Sequence, residues 1–274
     1  MDRQSSQPGR AVKGMENKTV EESIITAMDG TDIALIKYLP YILQDFWEIG
    51  SSPDEIIKII KKHKTDYSQL GILDLGSGKG AVSVRIASEL KCRCFGIDAI
   101  DEFVAISGEK AKEFSVNNLC TFETGDLRIR IKTLDEYDVV ILGAIGPVFG
   151  DYYSTLLKVK PHLKHGGLLI FDYDYIEDDR ERNNSGTLRK SEVLKQTADA
   201  GMEIIDTITN DDIPGINEEY ETQFKNVKKR CMELSKKYPE DKELFLAYVE
   251  KQKEEYWILS NTVTSVTLVL KSIN

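Results

Sequence analysis

Beyond residue 71 the chain alternates short apolar runs with longer amphipathic stretches. Ile72-Leu75, Arg93-Ile97, Thr121-Glu123, Asp138-Leu142 and Leu168-Phe171 read as strands. Ala81-Leu90, Glu102-Val116, Tyr152-Leu163 and Lys190-Ala200 read as helices between and after them. Strands separated by helices of this length predict right-handed βαβ units, hence an α/β fold with a parallel sheet covered on both faces. Met202-Thr209 and Thr262-Leu270 are two further β-like runs rich in Ile, Val and Thr. Between them, residues 215–258 carry helical charge patterning broken at Tyr238-Pro239, which predicts a helical hairpin inserted before the last strand. Its nearly balanced charges suit a solvated face, a lid over a substrate pocket or a homodimer contact.

The stretch before this alternation is helical in pattern. Leu35, Leu39, Ile42, Leu43 and Phe46 recur at three- and four-residue steps, with Pro40 marking a helix start or kink. Ser52-Pro53-Asp54-Glu55 has the order of an N-cap, a first-turn proline and a reciprocal capping glutamate, ahead of Ile56, Ile57, Ile59 and Ile60. The basic end at Lys61-Lys64 complements the helix dipole. Residues 1–14 are Ser/Gln/Gly-rich, with Met15 behind them as a second start. These readings divide the chain into a flexible extension over 1–19, a helical cap over 20–66, and a main domain over 67–274 that holds the 215–258 insertion.

Composition narrows the partners. The 274 residues are 41% apolar and 30% charged, the balance of an ordinary globular protein. With 36 Lys and Arg against 46 Asp and Glu, the net charge of -10 has the wrong sign for general attraction to phosphate backbones, so no nucleic-acid partner is expected. Four cysteines (Cys92, Cys94, Cys120, Cys231) are too few for a disulfide scaffold and suit a reducing compartment. Cys92 and Cys94 share one strand face with no His/Cys cluster following, so they read as core residues and no metal site is expected. No apolar run approaches the roughly 20 residues of a membrane span, so a cytoplasmic protein is expected.

The most informative stretch is Ile72-Leu73-Asp74-Leu75-Gly76-Ser77-Gly78-Lys79-Gly80-Ala81, an apolar strand running through a glycine-rich turn into a helix. Glycines there let a ligand approach the backbone closely, and the helix presents free N–H groups. A Walker A loop is excluded, because Lys79 is followed by Gly80 and no hydroxyl stands where magnesium needs one. Gly76-x-Gly78-x-x-Ala81 still fits a dinucleotide fingerprint, which leaves a dinucleotide and S-adenosylmethionine. Asp74, on the strand just before Gly76, calls for a cationic partner such as a ligand ammonium. Asp98, about 20 residues past the glycines, suits the ribose hydroxyls of either ligand. Gly125-Asp126-Leu127 ends the third strand where a carboxylate can accept the adenine amine.

With these residues assembled, the chain resembles the class I S-adenosylmethionine-dependent methyltransferases. The resemblance rests on Asp74-Leu75-Gly76-Ser77-Gly78-Lys79-Gly80, Gly96-Ile97-Asp98, Gly125-Asp126-Leu127, and Gly166-Gly167 before Leu168-Phe171. It spans about residues 70–210 and the last strand. It implies a Rossmann-like, seven-stranded, mostly parallel sheet with an antiparallel last strand and S-adenosyl-L-methionine across the carboxyl ends of the first strands. By position, Asp74 would bear on the methionine end, with Gly76, Ser77, Gly78, Lys79 and Gly80 packed against it. Asp98 and Ala99 would hold the ribose, Gly125, Asp126 and Leu127 the adenine, and Gly143 would face the methionine moiety. Asp126 also suits a helix N-cap, and Gly143 a plain turn.

Methyl transfer from a sulfonium is an in-line displacement with a neutral leaving group, so aligning the acceptor and excluding water dominate, and a general base is optional. No catalytic residue is therefore assigned. Asp172-Tyr173-Asp174-Tyr175-Ile176-Glu177-Asp178-Asp179 is acidic and aromatic, so Asp172 and Tyr173 are candidates for an acceptor pocket that favours an amine-bearing small molecule. Tyr41, Gln44 and Trp47 are candidate lid residues, with Met28-Asp29-Gly30-Thr31-Asp32 as a hinge. The competing functions are an NAD-dependent dehydrogenase, an aminopropyl-type transferase and a non-catalytic S-adenosylmethionine-binding protein.

Overall fold

A computed structural model describes residues 18–181 and 186–273. Seven strands form one sheet: β1 (Gly71–Leu75), β2 (Arg93–Asp98), β3 (Cys120–Thr124), β4 (Tyr137–Leu142), β5 (Leu163–Tyr175), β6 (Met202–Thr209) and β7 (Thr264–Ser272), in the order β3-β2-β1-β4-β5-β7-β6. β1 pairs in parallel with β2 and β4, β2 with β3, and β4 with β5. β7 runs antiparallel between β5 and β6. This is the Rossmann-like arrangement with an antiparallel last strand. The strand order reverses direction at β1 and β4, where an open α/β sheet offers a crevice at its carboxyl edge.

Alternation along the central strands builds two cores. Leu73, Leu75, Val140, Leu142, Leu169 and Phe171 face one side, and Ile72, Cys94, Val139, Ile141, Leu168 and Ile170 face the other. Cys92 and Cys94 are buried on the second side, as the period-2 reading required, and Cys120 is buried there with them. The helices Ala81–Leu90, Asp101–Glu113, Tyr152–Val159 and Lys190–Asp199 cover the two faces. Pro161, with no N–H to donate to Leu157 O, ends the third of these short of the predicted end, and the chain goes on as the 3-10 turn Lys160–His162.

Strand β5 departs most from its predicted bounds. Its four residues beyond Phe171, Asp172 to Tyr175, pair with Thr267 to Thr264 of β7. The acidic segment predicted to follow the fifth strand is thus itself strand up to Tyr175, because hydrogen bonds from a partner nearly one hundred residues away outweigh the weak strand preference of aspartate. The N-terminal region is also more broken than its periodicity suggests: helix Val20–Ala27, a 3-10 turn Ile33–Tyr38, a short helix Leu39–Ile42, and helix Pro53–His63. Ser52 caps the last of these, but Glu55 turns its carboxylate to Lys58 at 2.6 Å. Of the stretch 1–19, residues 1–17 lie outside the described residues, and Thr19 caps the first helix in a capping box with Glu22.

The predicted hairpin is present as helices Ile216–Lys237 and Lys242–Asn261, turning at Tyr238–Asp241. With the N-terminal helices it builds a third core, in which Leu35, Leu39, Ile42 and Phe103 meet Val227, Cys231, Phe245 and Tyr248. Polar contacts seal the seam: Tyr38 Oη donates to Asp241 at 2.5 Å, Tyr41 Oη to Glu233 at 2.8 Å, and Arg230 holds both oxygens of Asp45 at 2.7 and 2.6 Å. Among the described residues no helix is long and apolar enough to cross a membrane.

Candidate cofactor and acceptor site

The turn after β1 is held open by three left-handed glycines, Gly76, Gly78 and Gly80, with φ of 78°, 52° and 75°. Gly76 and Ser77 donate their N–H groups to the carbonyl of Ile97 at 2.8 and 3.0 Å, and Gly80 donates to Ser77 O at 2.8 Å. A Cβ on Gly78 would meet nothing within 4 Å, so this glycine faces open space, whereas Cβ atoms on Gly76 and Gly80 would strike Ile145 and Ser107. Ser77 Oγ is buried without a hydrogen-bond partner among the described residues and lies toward Gly96, where a Cβ would come within 2.8 Å of it.

Asp74 and Asp98 flank the turn. Asp74 is 3% exposed and accepts from Ser83 Oγ at 2.7 Å; burial pushes its carboxyl up to about 6. Asp98 accepts from Gly78 N and Ile100 N at 2.8 and 2.9 Å, one on each oxygen. Burial raises its carboxyl, and the backbone N–H groups, that of Ala99 among them, oppose the rise. Gly125 N donates to Asp98 O at 2.8 Å, which brings the end of β3 to the same edge. Asp126 caps the short helix Leu127–Arg130, in which Leu127 is buried. Its carboxylate is also ion-paired with Arg128 at 2.8 Å; burial pulls it up, but Arg128 and the helix N–H outweigh this and leave it below the usual range.

Gly143, just past β4, meets the cap. A Cβ there would lie 2.1 Å from Ser51 Oγ and 3.7 Å from Asp172 Oδ2. Ser51 donates to Asp172, and Thr267 Oγ1 donates to its other oxygen at 2.6 Å. Trp47, Ile49, Ser51, Asp74, Gly76, Ser77, Gly78, Lys79 and Gly143 thus line one pocket. Of the candidate lid residues only Trp47 is there, its Nε1 donating to Lys79 O at 3.0 Å. Tyr41 is 40% exposed and turned to Glu233, and Gln44 Nε2 folds back on Tyr41 O at 2.9 Å. Tyr173 is separated from Asp172 by strand alternation: it packs on Tyr152 and Phe171 at 4.6 and 5.6 Å on the opposite sheet face. The Met28–Asp32 turn, read as a hinge, touches the hairpin, where Gln252 Nε2 donates to Asp29 at 3.4 Å.

Comparison with known proteins decides the family. A family model described as a methyltransferase domain matches residues 66–262. The chain belongs to that family. By family and fold it is a class I S-adenosylmethionine-dependent methyltransferase, and its cofactor is S-adenosyl-L-methionine. It is 32% identical over 89 residues to a release factor glutamine methyltransferase of Aliivibrio fischeri, a match covering 32% of this chain and 31% of that protein. It is 26% identical over 117 residues to a malonyl-[acyl-carrier protein] O-methyltransferase of Bacillus cereus, covering 42% of each. The chain therefore spans 31% to 42% of the length of the curated relatives it matches. Its fold is similar to an S-adenosylmethionine-dependent methyltransferase from Geobacter sulfurreducens in complex with S-adenosyl-L-homocysteine, with a TM-score of 0.72, 16% identity, and 86% of this chain and 98% of that one covered.

The methyltransferase cofactor fits the chemistry of these residues. The open side of Gly78 and the buried carboxyls of Asp98 and Asp74 match a hydroxyl-rich nucleoside joined to a cationic amino acid. Sequence reading missed Ser51, Thr267 and Ile145, which reach the site only through tertiary packing. It also left unused Asp174, whose two-residue spacing from Asp172 places it on the same strand face.

Proposed function

We propose that this methyltransferase transfers the S-adenosylmethionine methyl group to a nitrogen of a small amine-bearing molecule. The observation that carries this reading is Asp172, a half-buried carboxylate beside Ser51 and Gly143 that no Lys or Arg among the described residues pairs with. A carboxylate kept in such a place without a cation of its own suits a cationic ligand group.

The surroundings continue the theme. Asp174 lies on the same face of β5, and burial raises its carboxyl, as it does those of Asp172 and Asp29. Glu255 on the hairpin is pushed up to about 7, by burial first and then by Asp29 and Asp174. Next to it in sequence, Tyr256 joins Tyr220 and Phe224 in a cavity of about 220 Å³. The ring centroids of Tyr220 and Phe224 both lie 5.9 Å from that of Tyr256. Aromatic faces with carboxylates near them attract an ammonium group.

The cofactor, when bound, supplies a methyl group on a positively charged sulfur. The chain's own residues have three tasks. Asp74, the glycine turn and Asp98 hold and orient the donor. Asp172 and the aromatic wall hold the acceptor in its ammonium form, and Trp47 with Ile49 shuts out water. An amine attacks only after losing a proton, and Glu255, with its carboxyl near neutrality, is suited to accept one.

The test is release of S-adenosylhomocysteine from purified protein given S-adenosylmethionine and, separately, small metabolites, RNA and protein. Turnover confined to the metabolites, narrowed by fractionation to amines, supports the reading. Turnover with protein or RNA alone overturns the substrate class.

A further inference from the structure

Lys79 is the charged residue of the glycine turn, yet its ammonium does not point across the pocket. Lys79 is 3% exposed, and a cation so buried needs acceptors. It finds them in the cap, donating to the carbonyls of Leu43 and Phe46, the latter at 2.6 Å, with the Phe103 ring 5.4 Å away. Leu43 is the C-cap of the short helix Leu39–Ile42, where carbonyl groups lack helical partners and a cation is welcome. The contact is reciprocal, since Trp47 Nε1 donates back to Lys79 O at 3.0 Å. Trp47 is in turn seated on Phe114 at 5.0 Å and under Lys110 at 5.2 Å.

The strap of residues 43–47 is therefore fastened at both ends of Lys79, side chain and main chain. Trp47 lines the pocket of the glycine turn together with Gly76, Ser77 and Gly78.

We propose that Lys79 is a positioning residue that latches the 43–47 strap and Trp47 over the glycine turn, and that this latch releases for the cofactor to enter or leave. The proposal rests on the reading of this pocket as the S-adenosylmethionine site. A latch that stabilises the closed arrangement with and without ligand slows association and dissociation alike, and changes the dissociation constant little.

The sequence has two tryptophans, so Trp257→Phe leaves Trp47 as the sole indole reporter. In that background Lys79→Met, which keeps the length and removes the charge, is compared with the parent by acrylamide quenching and by S-adenosylhomocysteine binding kinetics. Expected are a more quenchable Trp47 and a rise of about tenfold in both rate constants, equivalent to ~1.4 kcal/mol of lost latch. Trp47→Phe, which deletes the return hydrogen bond and keeps an aromatic ring, raises both rates by less. Equal quenching with unchanged rates in Lys79→Met overturns the latch. If Lys79→Met does not fold, unchanged rates in Trp47→Phe overturn it instead. Failure of the parent to bind S-adenosylhomocysteine would count against the proposed function, while the quenching comparison, made without ligand, still decides the latch.

Discussion

The Ser51 hydroxyl donates to the Asp172 carboxylate at the one point where Gly143 leaves no side chain between cap and sheet. Gly143→Ala would set a methyl 2.1 Å from Ser51 Oγ and 3.1 Å from its Cβ, driving the serine off Asp172. The expected cost is ~1–2 kcal/mol in denaturant unfolding, since a largely enclosed acceptor loses one of its two donors. Ser51→Ala costs a similar amount, and the double variant costs little more than Gly143→Ala alone, because both changes delete the same bond. Fully additive losses would show that the contact does not hold the cap.

Asp74 makes stability depend on pH in a stated direction. Its carboxyl stands at about 6 in the folded protein, against about 4 in an unfolded chain. Between those values the folded state keeps a proton the unfolded state has released, so this group's contribution falls as pH rises from about 4 to 6 and stays lost above. Asp74→Asn keeps an acceptor for Ser83 and removes the dependence, flattening the unfolding free energy across that window by about 3 kcal/mol relative to wild type. Affinity for S-adenosylhomocysteine should rise through about pH 6 in wild type, as the carboxylate forms, and stay flat in the variant. An unchanged stability profile in Asp74→Asn would remove Asp74 from this role.

Asp98 ties the glycine turn to β2 through Gly78 N and Ile100 N. Asp98→Asn replaces one acceptor oxygen by an NH2 group facing an N–H donor, which leaves a buried donor unpaired at ~1–3 kcal/mol. Calorimetry with S-adenosylhomocysteine should show at least about a tenfold weaker complex, because the ribose loses an acceptor as the loop loses its tether. Wild-type affinity in the folded variant would place the ribose elsewhere.

The βαβ rhythm and the glycine turn were legible because both are local: period-2 runs such as Ile72–Leu75, and glycines placed where φ must be positive, carry their meaning within ten residues. The hairpin and its turn at Tyr238–Asp241 were legible for the same reason. The acceptor side was not. Ser51 and Asp172 are 121 positions apart, and Tyr41 and Glu233 are 192 apart. The antiparallel partner that turns Asp172–Tyr175 into strand lies in β7. Adjacent candidates such as Asp172 and Tyr173 were grouped by sequence, and the pleat of the strand parts them.

The most direct test of the donor site is calorimetric titration of S-adenosylhomocysteine into wild-type protein and Gly78→Ala. Gly78 has φ of 52° and nothing within 4 Å of where its Cβ would lie, so alanine costs only ~1 kcal/mol of backbone strain and leaves the fold intact. Its methyl group, however, projects into the space assigned to the ligand. Saturable one-to-one binding by wild type, weakened by about tenfold or more in a folded Gly78→Ala, is the predicted result. Equal affinity in the two proteins, or no binding by folded wild type, would contradict the account.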